Sequence, residues 1–194
     1  DSAALCAGVA AALRGGARIV QYRDKSGDAE RQREQAMALR ALTRAYNALL
    51  IVNDDVALAA AVGADGVHLG EHDGDLAAAR AALGPGKLLG VSCSDALARA
   101  REAKRIGDDY IAFGSFFASP TKPGAVRAPL TLLTKAREEF GLPVCAIGGI
   151  TLQNAPQMIA AGTDLLAVIT DLFEAPDIRA RAAAFTHLYE RVTS

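Results

Sequence analysis

The stretch Ile51-Val-Asn-Asp-Asp-Val-Ala-Leu-Ala-Ala-Ala-Val-Gly-Ala-Asp-Gly-Val-His-Leu-Gly-Glu-His-Asp73 decides how the rest of the chain reads. It begins inside an apolar run, Leu49 to Val52, which predicts a buried strand ending at polar Asn53 and Asp54. A short apolar helix follows, Val56 to Val62, and Gly63 stops it because glycine takes the left-handed cap without strain. A second strand, Gly66 to Leu69, runs parallel to the first and opens into a loop carrying Asp73. Two consecutive parallel strands put Asp54 and Asp73 in adjacent loops at one end. That placement suits a hard cation held by one or two carboxylates plus a substrate phosphate. It suits equally a helix-capping Asp54 and an Asp73 in a solvated turn.

Outward from this stretch the same unit repeats. Ala3 to Leu13 reads as a helix, Ala17 to Tyr22 as a strand, and Asp28 caps a helix running to about Tyr46. Asp75 caps Leu76 to Leu83, Leu88 to Val91 is a strand, and Ser94 is expected to cap a helix ending at Ile106. Tyr110 to Phe113 is a strand, followed by a long loop, Gly114 to Ala128. Pro129 opens a helix that Gly141 ends; Val144 to Ile147 is a strand; Thr151 caps a helix ending at Gly162. Leu165 to Ile169 is the last strand, and a turn, Asp171 to Pro176, leads into a helix from Asp177 to about Val192. The strands are apolar throughout rather than alternating, as in parallel sheets covered on both faces. Their alternation with helices implies right-handed βαβ units in a single domain spanning 1–194. A (β/α)8 TIM barrel fits best; an open doubly wound sheet fits less well, because no Gly-rich nucleotide turn follows an early strand.

Composition narrows the function. The 194 residues carry a formal charge of -1, which gives no electrostatic case for nucleic acid or an anionic membrane. Cys6, Cys93 and Cys145 lack zinc or redox spacing, so reduced, mostly buried thiols in a cytoplasmic protein are expected. No basic, then apolar, leader opens the sequence, and no apolar run approaches the roughly 18 residues of a membrane span.

In a barrel of this kind the chemistry sits at the C-terminal strand ends. Gln21, Arg23 and Lys25 leave the first strand two apart, so they share a side while Tyr22 faces the helices. Two cations and an amide suit an anionic ligand; a strand end salt-bridged to Asp24 and Asp28 is the plainer alternative. Ser92 ends a later strand without a nucleophile elbow around it. His68 reads as a satisfied strand residue, His72 is open either way, and His187 is expected at the surface. The loop Gly114-Ser-Phe-Phe-Ala-Ser-Pro-Thr-Lys-Pro-Gly124 is long, with Phe116 and Phe117 as anchors and Ser119, Thr121 and Lys122 as polar groups. Such loops often act as lids. Gly148-Gly149 and Ile169-Thr170 lie in the last two strand-to-helix loops, where barrels commonly bind phosphate.

Taken together, Gln21-Tyr-Arg-Asp-Lys25, Asn53-Asp54, Gly63-Ala-Asp-Gly-Val-His-Leu-Gly70 with Asp73, Gly90-Val-Ser92, Gly114 to Lys122, Ala146-Ile-Gly-Gly-Ile150 and Ala167-Val-Ile-Thr170 resemble the thiamine phosphate synthase family over nearly the whole chain. The resemblance implies a barrel that joins hydroxymethylpyrimidine pyrophosphate to hydroxyethylthiazole phosphate, giving thiamine phosphate and pyrophosphate. It implies that Gln21, Arg23, Lys25, Asn53 and Lys122 bind the pyrimidine pyrophosphate and that Asp54 and Asp73 bind Mg2+. Ser92 would lie by the leaving pyrophosphate, with Arg23, Lys25, Ser92 and Lys122 as the catalytic set. Ser119, Pro120 and Thr121, with Gly149, Ile169 and Thr170, would hold the thiazole phosphate. Family members often carry Thr where Ser119 stands, Ser where Thr170 stands and His where Ser94 stands.

Two rivals share the barrel: a thiazole tautomerase, and a non-catalytic thiamine phosphate-binding barrel. Neither requires the paired metal acids. Whether the chain forms a homo-oligomer is left open. Seven strands are visible where the resemblance implies eight, so a further strand of about five or six apolar residues is expected ahead of Asp1.

Overall fold

The computed structural model describes residues 1–118 and 127–192, with side chains as far as residue 190. Its elements run α1 (Ser2–Arg14), β1 (Ile19–Tyr22), α2 (Ala29–Ala45), β2 (Leu49–Asn53), α3 (Val56–Val62) and β3 (Gly66–Leu69). Next come α4 (Leu76–Leu83), β4 (Leu88–Ser92), α5 (Leu97–Ile106), β5 (Tyr110–Phe113) and α6 (Thr131–Phe140). The chain ends with β6 (Val144–Ile147), α7 (Ala155–Ala160), β7 (Leu165–Ala167), α8 (Thr170–Phe173) and α9 (Ile178–Val192).

All seven strands pair in parallel in the order β1 to β7, so every connection is a crossover with a helix outside. The result is a curled TIM-type barrel sheet. Leu50, Val52, Val67, Leu69, Leu89, Val91, Ile111 and Phe113 face the helices and are at most 1% exposed. They pack with Leu39, Ala59, Ala79, Ala100, Ala103, Leu133 and Ala136 from the helices. Each large side chain buried this way contributes about 1.5–3 kcal/mol. The register then fixes the inner face: Asn53 lies beside His68, His68 beside Gly90, and Ser92 beside Ala112.

The sheet does not close on itself: among the described residues β1 pairs with β2 alone and β7 with β6 alone. The helices do meet across that gap. Gly15 lies so close to α9 that a Cβ there would sit 2.4 Å from the Arg179 carbonyl oxygen.

Several local expectations are corrected. Ser94 does not cap α5; it adopts a left-handed conformation (φ 51) in a turn closed by Ala96 N–H to Cys93 O, and α5 starts only at Leu97. The helix expected from Pro129 begins at Thr131. Thr151 accepts from Asn154 N–H in a turn that precedes α7, which begins three residues later than a cap at Thr151 implies. The last strand stops at Ala167, and the turn after it contains the one-turn helix α8.

At the opposite end from the expected site a device recurs that the sequence reading missed. Asp65, Asp109 and Asp164 each precede a strand and accept an N–H from the first or second residue of the strand before it: Leu50 at 2.7 Å, Leu89 at 2.7 Å and Val144 at 2.9 Å. A cavity of about 440 Å3 lies at this end, lined by Arg80, Lys87 and Asp109 among others. Its cations are already committed, Arg80 to Asp109 and the Lys87 carbonyl, Lys87 to the Ala64 carbonyl. It is a seam of structural bonds.

Within the recurring Gly-X-Asp turn, X is Ala64, Asp108 or Thr163, and all three are buried. Thr163 Oγ1 donates to Val144 O, but neither oxygen of Asp108 has a partner among the described residues. Burial, with Asp109 adjacent, pushes the Asp108 carboxyl up to about 6. A carboxyl raised in the fold favours folding only while protonated, so its cost appears as pH rises through about 4 to 6 and persists above. Asp108→Ala, which copies Ala64, is therefore expected to gain about 1–2 kcal/mol at pH 7.5 after solvent screening. The gain should shrink to nothing near pH 4. Chemical denaturation of both proteins at several pH values checks this, and a gain independent of pH would refute it.

Candidate active site

The C-terminal strand ends gather most of the candidate residues. At β1, Tyr22 turns outward and donates to Gln35 Oε1 at 2.9 Å, leaving Gln21 on the inner face. The neighbouring acids do not neutralise Arg23 or Lys25. Asp24 is engaged by Ser26 and Arg31, and Asp28 caps α2 through Arg31 N–H. Lys25 instead reaches across to pair with Asp54.

The plainer reading of Asp54 as a helix cap fails, because the cap of α3 is Asp55, whose Oδ1 accepts from Leu58 N–H at 2.8 Å. Asp54 holds a left-handed backbone (φ 67), its N–H bonded to His68 O at 2.9 Å. Such a conformation is uncommon outside glycine and tolerated best by Asn and Asp. Its side chain is thereby free to meet Asp73, itself held by Gly70 N–H at 2.7 Å. Burial and the contact with Asp73 push the Asp54 carboxyl up, while Asp73 is pulled down by its bond to Asp54, by Gly70 N–H and by the charges of Lys25 and Arg23. Two carboxylates in contact need a shared positive charge, a proton or a cation. Their donor set of hard oxygens fits Mg2+ held by two carboxylates, with substrate phosphate and water completing the shell. Among the described residues no third acid, His or Cys joins them.

Ser92 ends β4 with its Oγ 2.8 Å from His68 Nε2, while His68 Nδ1 lies 2.9 Å from the Tyr110 hydroxyl. His68 is buried, as a satisfied strand residue should be, and burial pushes its imidazole down to about 4, so it is neutral at physiological pH. Behind them Arg99 on α5 donates Nε to Ser92 O at 2.8 Å and Nη2 to Gly70 O at 2.7 Å. It ties the serine strand to the loop that carries Asp73.

On the far side, Phe116 is buried and Phe117 half-buried, anchoring the long loop as expected. Gly148 and Gly149 have φ of 100 and 62, and a Cβ on Gly149 would lie 2.3 Å from Ala118 O. The glycines thus let the loop lie against the turn; no acceptor among the described residues takes the Gly149 N–H. Thr170 opens α8, and Ile169 before it is exposed. Asp171 links the two loops, accepting from Leu152 N–H at 3.3 Å and from Arg181 at 2.8 Å. Ser119, Pro120, Thr121 and Lys122 lie outside the described residues. His72 is exposed, and His187 lies exposed on α9.

Sequence reasoning did not find Tyr110, Arg99 or Asp171. Tyr110 could have been found as the inner-facing aromatic opposite Gly90; the other two carry no local signal.

Fold and strand ends together define a parallel α/β barrel with an acidic pair set against two cations at its mouth. The family model for thiamine monophosphate synthase matches residues 1–172. The thiamine-phosphate synthase of Azoarcus sp. (strain BH72) is 57% identical over 189 residues, 97% of this chain and 92% of its own. That of Thioalkalivibrio sulfidiphilus is 55% identical over 180 residues, 93% and 85%. Among solved structures, thiamine phosphate pyrophosphorylase from Pyrococcus furiosus superposes with a TM-score of 0.89 at 37% identity, covering 97% of this chain and 91% of that one. The chain belongs to the thiamine monophosphate synthase family.

Proposed function

We propose that this chain couples hydroxymethylpyrimidine pyrophosphate to hydroxyethylthiazole phosphate, releasing pyrophosphate and forming thiamine phosphate. The observation that carries the reading is the contact of Asp54 with Asp73 beside Lys25 and Arg23. A divalent cation there supplies charge neutralisation for a departing pyrophosphate. The carbon attacked is attached to an electron-rich aminopyrimidine, so its bond to the pyrophosphate oxygen can break before the bond to the thiazole nitrogen forms. Charge then builds on the leaving oxygens, where Arg23, Lys25, Lys122 and the Ser92 hydroxyl would stabilise it. Gln21 and Asn53 would orient the pyrimidine, and Ser119, Pro120, Thr121, Gly149, Ile169 and Thr170 the thiazole phosphate. The nitrogen attacks without losing a proton, which agrees with a neutral His68 whose two ring nitrogens are both hydrogen-bonded. Orientation and exclusion of water are what remains for the protein to do.

The test mixes both substrates with the protein and Mg2+. Thiamine phosphate and pyrophosphate are expected in equal amounts, and EDTA should abolish both. Isomerised thiazole phosphate with no coupled product would establish the tautomerase instead, and binding without turnover the sensor. No described helix is long and apolar enough to cross a membrane. We place the reaction in the cytoplasm, with small-molecule substrates as its partners.

A further inference from the structure

His68 and Tyr110 have no part in the reaction as set out above, yet they are the inner-face polar pair nearest Ser92. The two rings stack, centroids 5.5 Å apart and planes 28° from parallel. Gly90 makes the space: a Cβ there would lie 2.0 Å from Tyr110 Cζ. Gln21 reaches Tyr110 from the other side, and its amide N–H is able to donate to the phenol oxygen. With its oxygen accepting from Gln21, the phenol's own proton is available to His68.

A neutral imidazole has one N–H, so the two bonds of His68 can be polarised in two ways. If Nδ1 carries the proton, Tyr110 accepts from both sides and Ser92 spends its proton on Nε2. Ser92 would then face an anion with bare lone pairs. If Nε2 carries it, Tyr110 donates to Nδ1, Nε2 donates to Ser92 Oγ, and the serine proton points away from the imidazole.

We propose that His68 and Tyr110 are positioning residues: with Gln21 they form a one-way hydrogen-bond chain, Gln21 to Tyr110 to His68 to Ser92, that leaves the Ser92 hydroxyl free to donate to the leaving pyrophosphate. The same chain uses the Gln21 amide as donor and leaves its carbonyl to accept from the amino group of the pyrimidine. One line of bonds thus sets the hydrogen-bonding sense at both ends of a single substrate. This rests on the coupling reaction proposed above.

Two measurements test it. Nitrogen-15 NMR of the substrate-free protein, with the His68 signals assigned by their loss in His68→Gln, should show Nε2 protonated and Nδ1 bare. A protonated Nδ1, or fast exchange between tautomers, overturns the chain whatever the protein catalyses. The second is a kinetic cycle. Tyr110→Phe should lower kcat about tenfold, as for one lost hydrogen bond, with KM for both substrates within about twofold. In a Ser92→Ala background the same change should cost less than about twofold, because the residue it acts through is gone. A full, additive loss in that background would show that Tyr110 acts by another route. Wild-type protein that yields no coupled product with Mg2+ refutes the reaction itself and with it the role of the serine proton, and the NMR result then still reports the tautomer.

Discussion

Asp73→Asn is expected to cut turnover at least about 100-fold at saturating Mg2+, the scale of losing one preorganised electrostatic contact to the transition state. The substitution isolates charge from architecture. Asp73 accepts the Gly70 N–H, and an asparagine carbonyl can accept it as well, so the loop should keep its shape. What is lost is half of the acidic pair and its pull on a divalent cation. Steady-state rates against Mg2+ concentration, with a melting curve as control, separate the two effects. Near-normal turnover with an unchanged dependence on Mg2+ would remove Asp73 from the metal site.

Gly90→Ala should be severely damaging for a single added methyl in the sheet interior. The added carbon would sit 2.0 Å from Tyr110 Cζ and 2.4 Å from its hydroxyl oxygen, on a ring fixed by its stack on His68. Overpacking of this kind costs about 2–3 kcal/mol, and for a chain of this size that lowers Tm by roughly 5–10 °C. Activity should fall further than stability accounts for, since the displaced ring carries His68 and Ser92 with it. Shortening the obstructing side chain in Gly90→Ala/Tyr110→Leu should restore part of the lost Tm but none of the lost rate. A single variant as stable and as active as wild type would show that the ring moves freely.

Much of the fold could be read directly because parallel strands buried on both faces are continuous apolar runs, and each unit is punctuated by glycine. Gly63, Gly107 and Gly141 do end their helices in left-handed conformations. The local errors fall where two polar side chains compete for a single turn. Ser94 looked like a cap, but the chain spent Cys93 to Ala96 on a turn before α5 could start. Asp54 and Asp55 are indistinguishable as caps on composition; the left-handed backbone of Asp54 gives the cap to its neighbour and frees the first acid for Asp73. Which side the candidate residues at strand ends face was legible, because strand periodicity fixes it. Tyr110 and Arg99 were not, because their partners are set by register and helix docking, which no short window encodes.

Arg99 has one more consequence. It grips the carbonyls of Gly70 and Ser92 at once, from a helix behind both loops. The wall holding Asp73 and the wall holding Ser92 therefore cannot swing apart separately; they form one fixed jaw. Lys25, by contrast, reaches Asp54 by a single exposed side chain, so the cationic edge of the mouth is held far less firmly. Any give in the mouth is therefore on its cationic side.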